Sequence, residues 1–101
     1  MRFLIISKNK YIAPPEVLSD LIDGTLAWTR KYQAQIKEIW SFAGQQAGAA
    51  IANVKSPEEL DTMLAELPIR PFSETEVYPL VDLDASLRHQ KESLHAMGVP
   101  A

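Results

Sequence analysis

Residues 56–72 read SPEELDTMLAELPIRPF. Ser56 stands where an N-cap belongs, Pro57 falls at the first helical position and Glu59 lies three residues beyond the cap. Ser56 and Glu59 supply acceptors for otherwise unpaired amide donors at a helix start, and Pro57 has no N–H to leave unpaired. Leu60, Met63, Leu64 and Leu67 then recur at three- and four-residue intervals, so a helix here carries one apolar stripe. Pro68 stops it, because a proline ring clashes with the preceding turn. Pro71 follows three residues later, so the pair sets the angle at which the next segment enters, with Arg70 as the cation held between them. The continuation, SETEVYPLVDLD, alternates as a strand does, and Pro79 within it predicts an edge position or a bulge.

Working back from Ser56, AAIANV (49–54) reads as a short strand of small and β-branched residues, and KEIWSFA (37–43) as its hairpin partner. Glu38, Trp40 and Phe42 fall on one side of that partner and Ile39, Ser41 and Ala43 on the other. Gly44 and Gly48 serve the intervening turn, since no helix follows them to offer an anion-binding N-terminus. Before the hairpin, residues 13–39 predict one long helix opened by Pro14, Pro15 and Glu16. Its buried face runs from Leu18 through Trp28 and Tyr32 to Ile36. Gly24 costs such a helix about 1 kcal/mol relative to alanine, which points to close packing or a kink. The opening segment Arg2–Lys8 predicts a strand with apolar groups on both faces. A tail helix over 84–97, with Leu87, Leu94 and Met97 as its apolar line, is expected to lie over another surface.

The order β-α-β-β-α-β plus a tail helix predicts an α+β, ferredoxin-like domain over residues 1–101, with both main helices on one face of an antiparallel sheet. The other face would stay exposed in a lone chain although it carries Trp40 and Phe42. Exposed apolar faces of that kind mark interfaces, so at least a homodimer, two sheets forming an α+β barrel, is expected.

Composition narrows the function classes. Ten Lys plus Arg against thirteen Asp plus Glu give a net charge of −3 with no basic cluster, which argues against nucleic acid as a partner. The chain has no cysteine, so thiolate zinc sites, Fe–S clusters and cysteine nucleophiles are excluded, and a reducing cytoplasm suits it. No apolar run approaches the roughly 20 residues that cross a bilayer, and the N-terminal run is too short for a signal peptide; no membrane partner and no processing are expected. His89 and His95 are six apart, which is not the spacing of a helical metal pair.

From Trp40 to Leu80 the chain resembles the muconolactone delta-isomerase family, which includes chloromuconolactone dehalogenases. The resemblance rests on Ile39–Trp40 followed by Ala43–Gly44, the strand ending at Val54, the helix SPEELDTML, Leu67–Pro68, Pro71–Phe72 and Glu76–Val77. It implies a small cytoplasmic dimeric barrel that moves a proton on an unsaturated lactone with no metal or organic cofactor. That chemistry needs a base for a proton acidified by a nearby carbonyl, and hydrogen-bonding or positive groups for the dienolate. A carboxyl group in an apolar pocket can serve both transfers.

The resemblance sets an acidic helix residue of the family at Asp23, with Asp where the family carries Glu. It sets Leu4 where the family presents histidine, and Glu38, Ser41 and Gln45 where it carries basic and histidine residues. A less acidic ligand than the family's is therefore implied. Asp23 is the candidate base; the alternative is a solvated helix residue. Glu38, Trp40, Arg70, Tyr78 and Tyr32 are candidate substrate contacts, against readings of Glu38 and Arg70 as surface charges and of the aromatics as core or interface residues. Besides the isomerase, the fold implies two rivals: a cofactor-free monooxygenase of the antibiotic-biosynthesis type, and a non-catalytic ligand-binding or oligomerisation module.

Overall fold

The computed structural model describes residues 1–100 and places the opening strand at the centre of the sheet. The strands β1 (Arg2–Asn9), β2 (Ile36–Ser41), β3 (Ala47–Asn53) and β4 (Ser73–Leu80) lie in the order β2-β3-β1-β4, with all neighbours antiparallel. The helices are α1 (Pro15–Lys31), α2 (Pro57–Ala65) and α3 (Leu83–Ala96), and a single 3-10 turn spans Arg70–Phe72. This is the ferredoxin-like α+β arrangement expected from the sequence. Pro79 stands on edge strand β4, opposite Phe3, where its missing N–H breaks no interior ladder.

Register sorts the strand side chains. Phe3 and Ile5 pair with Ala52 and Ala50 on β3, and this set faces α1 and α2. Phe3, Ile5, Ala52, Trp28, Leu60, Met63, Leu64 and Leu67 are buried there in one core, with Met63 at 0% exposure. On the opposite face Leu4 and Ile6 lie beside Ile51, Ala49 and Tyr78, uncovered within the chain. The two-sided apolarity of β1 thus serves a core on one side and an open surface on the other.

α2 forms as its capping signal predicts. The Ser56 hydroxyl accepts from the Glu59 amide at 3.2 Å, and the Glu59 carboxylate reaches back to the Lys55 amide at 2.8 Å, one residue outside the standard box. The long helix is shorter than its sequence pattern implied. α1 ends at Lys31, and Tyr32 closes it with its amide on the Trp28 carbonyl. Ile36, expected on the helix stripe, instead begins β2 opposite Ala52. Both placements bury Ile36 against the same core, so periodicity alone could not separate them. Gly24 is a close-packing site: a Cβ there would meet the Pro68 ring at 3.1 Å. The proline that stops α2 therefore seats against α1.

The tail helix corrects a second expectation. α3 begins at Leu83 and ends with Gly98 in the left-handed region (φ 87°), but no residue of α3 is buried. Leu83, Leu87, Leu94 and Met97 are half or more exposed, so α3 is not laid over any surface of its own chain. Arg2 anchors its start through an ion pair to Asp82 at 2.7 Å, and the molecule extends to 62 × 27 × 20 Å.

Candidate ligand cavity

Between α1 and the sheet lies a cavity of about 420 Å³. It exists because the helix-side positions of β3 nearest the hairpin are Gly48 and Ala50, too small to fill the space under α1. α1 contributes Leu18, Ile22, Thr25 and Trp28, α2 and the segment after it contribute Leu64, Leu67 and Ile69, and β1 contributes Ile5. The volume sits toward the small end of the roughly 300–1,000 Å³ range of small-molecule sites, and most of its wall is apolar, as such sites are.

Strand alternation carries Ser7 and Asn9 to the same side as Ile5, and the hairpin brings Ser41, Gln45 and Gln46 beside them. One end of the cavity is therefore polar. Asn9 and Gln46 are doubly joined: the Asn9 amide donates to the Gln46 carbonyl at 2.9 Å, and Asn9 Nδ2 donates to Gln46 Oε1 at 2.9 Å. The Thr25 hydroxyl already donates to the Leu21 carbonyl at 2.7 Å, leaving its oxygen as an acceptor. Trp28 is fixed by its indole N–H on the Met63 carbonyl at 2.8 Å. Among the described residues no Asp, Glu, His, Lys or Arg lines the cavity.

The sequence candidates are not gathered in one place. Trp40 belongs to the cavity wall, with its carbonyl oxygen against Gly48, while strand alternation turns its half-exposed indole to the open face together with exposed Glu38. Asp23 is exposed on α1 and does not line the cavity; the helical step of about 100° swings it away from its cavity-lining neighbour Ile22. Arg70 is exposed in the 3-10 turn, directly after cavity residue Ile69. Tyr78 is on the open face and donates to Glu76 at 2.7 Å; that hydrogen bond, with the carboxylate's charge, raises the phenol above the usual tyrosine range. Tyr32 caps α1 and donates to Glu66, which also pairs with Lys31 at 3.1 Å, so it ties α1 to the end of α2.

Ser7, Asn9, Thr25 and Gln46 were not singled out from the sequence. The signal was present in β1, where the period-two pattern that buries Phe3 and Ile5 continues into Ser7 and Asn9. Polar side chains on a core-facing side need partners or a ligand. Among the described residues no cluster of three or more His, Asp or Glu side chains is arranged to hold a metal ion. No helix among the described residues is long and apolar enough to cross a membrane.

An antiparallel ferredoxin-like sheet with helices packed on one face and a small, largely apolar cavity beneath them defines the chain as an α+β protein of the ferredoxin-like class. The chain belongs to the muconolactone delta-isomerase family, whose model matches residues 1–85. It is 34% identical over 68 residues to a muconolactone delta-isomerase of Rhodococcus opacus, covering 65% of this chain and 73% of that protein. It is 38% identical over 64 residues to the Acinetobacter baylyi muconolactone delta-isomerase, covering 61% and 67% respectively. A crystal structure of muconolactone isomerase superposes with a TM-score of 0.74 at 24% identity, covering 81% of this chain and 90% of the other. The 5-chloro-2-hydroxyhydroquinone dehydrochlorinase of Burkholderia phenoliruptrix, solved with 2,5-dihydroxybenzoquinone, gives 0.67 at 18% identity, covering 84% and 98%. These two structures support the fold, and the family model with the two relatives supports the membership.

Proposed function

We propose that the protein is a cofactor-independent, isomerase- or lyase-type enzyme that moves a proton on a small unsaturated lactone- or polyketide-like compound. The observation that carries this reading is the cavity, apolar with one polar end, in a chain of the muconolactone isomerase family. The apolar wall of Ile5, Leu18, Ile22 and Trp28 takes the ring, and the hydroxyl and carboxamide groups at the hairpin end take its oxygens. Hydrogen bonds to a carbonyl oxygen strengthen as charge develops there on enolisation, which is how neutral donors lower the barrier.

Asp23 is the base in this reading. The family resemblance alone carries that assignment, since Asp23 is exposed and outside the cavity lining; one carboxyl can take the proton at one carbon and return it at another. The reading also makes the protein a cytoplasmic homodimer. Its open sheet face, with Leu4, Ile6, Ile51 and the half-exposed Trp40 and Tyr78, is the surface a second copy would cover.

Asp23→Asn tests the assignment on a panel of unsaturated lactones. Loss of turnover with an unchanged melting temperature is expected; full turnover in the variant removes Asp23 from the mechanism. One observation favours a second reading, a ligand-binding module without chemistry: among the described residues no titratable side chain lines the cavity. An unaltered small molecule recovered from the purified protein, with no turnover on the panel, decides for it. A light-scattering mass of one chain at micromolar concentration counts against the dimer.

A further inference from the structure

We infer that α3 is an exchanged arm, which in the assembled protein lies antiparallel along α1 of a second copy, over the open mouth of the cavity. The docking is independent of the chemistry proposed above; only its effect on the site rests on the cavity being the ligand site. α3 carries Leu83, Leu87, Leu94 and Met97 on one stripe, all half or more exposed. α1 offers a half-exposed apolar pair, Ile22 and Leu26. Within one chain the two do not meet. α3 leaves the sheet after Val81 and Asp82 from β4, the edge opposite β2, and Arg2 holds Asp82 there, whereas α1 and the cavity lie over β2 and β3.

Charge identifies the occupant. Glu16, Asp20 and Asp23 stand exposed on α1 at intervals of four and three residues, and Arg88, Lys91 and His95 stand exposed on α3 at intervals of three and four. Run in opposite directions, the two rows match one to one: Glu16 with His95, Asp20 with Lys91 and Asp23 with Arg88. At about 100° per residue, each charged row lies about 100° around its helix from the apolar stripe, in the same rotational sense. Helices that face each other through those stripes therefore bring acid and base to the same side only when antiparallel. In that register Leu87 falls between Ile22 and Leu26, and Leu94 falls over the cavity residue Leu18. The antiparallel macrodipoles also attract. Docked in this way, α3 covers the mouth between Ile22 and Ile39, cavity residues that are half-exposed in a single chain, so the site is complete only with the second copy. Arg88 beside Asp23 favours the ionised carboxylate, the form that accepts a proton.

The chain has no cysteine, so an introduced disulfide reports the contact. Full-length Leu26→Cys and Leu87→Cys proteins, both changed at exposed positions and checked by melting curves, are mixed and oxidised mildly. A linked heterodimer is expected in clear excess over the products of either protein alone. Adding Asp20→Lys to the first protein is expected to cut the linked yield roughly threefold or more, and adding Lys91→Glu to the second is expected to restore it. A mixture that links no better than its components overturns the inference, as does a yield indifferent to both charge reversals. A chain carrying both cysteines that closes on itself at high dilution overturns it in favour of α3 folding back on its own body. Absence of linkage, with the α3 amide signals shifting on phosphatidylglycerol vesicles, overturns it in favour of a membrane surface. Each of these results leaves the Asp23→Asn assay unaffected, so the docking and the chemistry stand or fall separately.

Discussion

Replacing Gly48 with alanine should loosen the β2–β3 hairpin and the cavity wall together. Gly48 pairs with Ser41, and a Cβ built on it would lie 2.7 Å from the Trp40 carbonyl oxygen. That obstacle is backbone, so no side-chain rotation relieves it, and β2 must move as a strand. Overpacking of this kind costs about 1–3 kcal/mol, partly offset by the ~0.5–1 kcal/mol that alanine gains over glycine in regular structure. A net loss of about 1–2 kcal/mol lowers the melting temperature of a domain this size by about 4–16 °C.

Gly44 supplies the control. It sits in the same hairpin at φ 76°, and a Cβ added there would meet nothing within 4 Å, so its demand is conformational and not spatial. Asparagine tolerates the left-handed region better than alanine does. At Gly44, asparagine should therefore be the milder substitution, whereas at Gly48 the larger side chain should be the more damaging one. Thermal melts of the four variants, with the Trp40 indole signal as a local probe, read both effects. A Gly48→Ala protein melting within about 2 °C of the parent, with Trp40 undisturbed, would refute the steric argument.

Two other outcomes are expected. Met63→Ala, at a position with 0% exposure, should cost about 2–5 kcal/mol in urea unfolding, while Leu87→Ala on α3, at 50% exposure, should cost under about 0.5 kcal/mol in a protein kept monomeric by dilution. The Tyr78 phenol should titrate above the ordinary value of 10.0 in NMR-monitored pH titration and fall back toward it in Glu76→Gln. The folded chain then holds that proton to higher pH than the unfolded chain, so the stability linked to it is present below about pH 10 and declines as the pH rises through the folded value.

Much of the fold was legible because its signals are local. Ser56, Pro57 and Glu59 announce α2, Pro68 ends it, and Pro79 marks an edge strand. The end of α1 was not legible, since Ile36 fits the helix stripe as well as the first position of β2, and only its pairing with Ala52 decides. The cavity was less legible than the fold because it is defined by what Gly48 and Ala50 do not fill. The residues chosen as candidates were the charged and aromatic ones, which announce themselves in a sequence. The polar end is built from Ser7, Asn9 and Gln46, ordinary residue types whose meaning comes from the register that sets them over a void.

α3 gives the protein a property independent of its chemistry. A compact chain of this length has a radius of gyration near 13 Å, whereas this one has 17.8 Å, because its last helix stands off the body. Such an elongated particle tumbles unequally about its axes, so amide relaxation rates should depend on bond orientation. Any association that folds α3 against a second copy makes the tumbling more nearly isotropic even as the mass rises. Rotational diffusion is therefore a gauge of how the protein assembles.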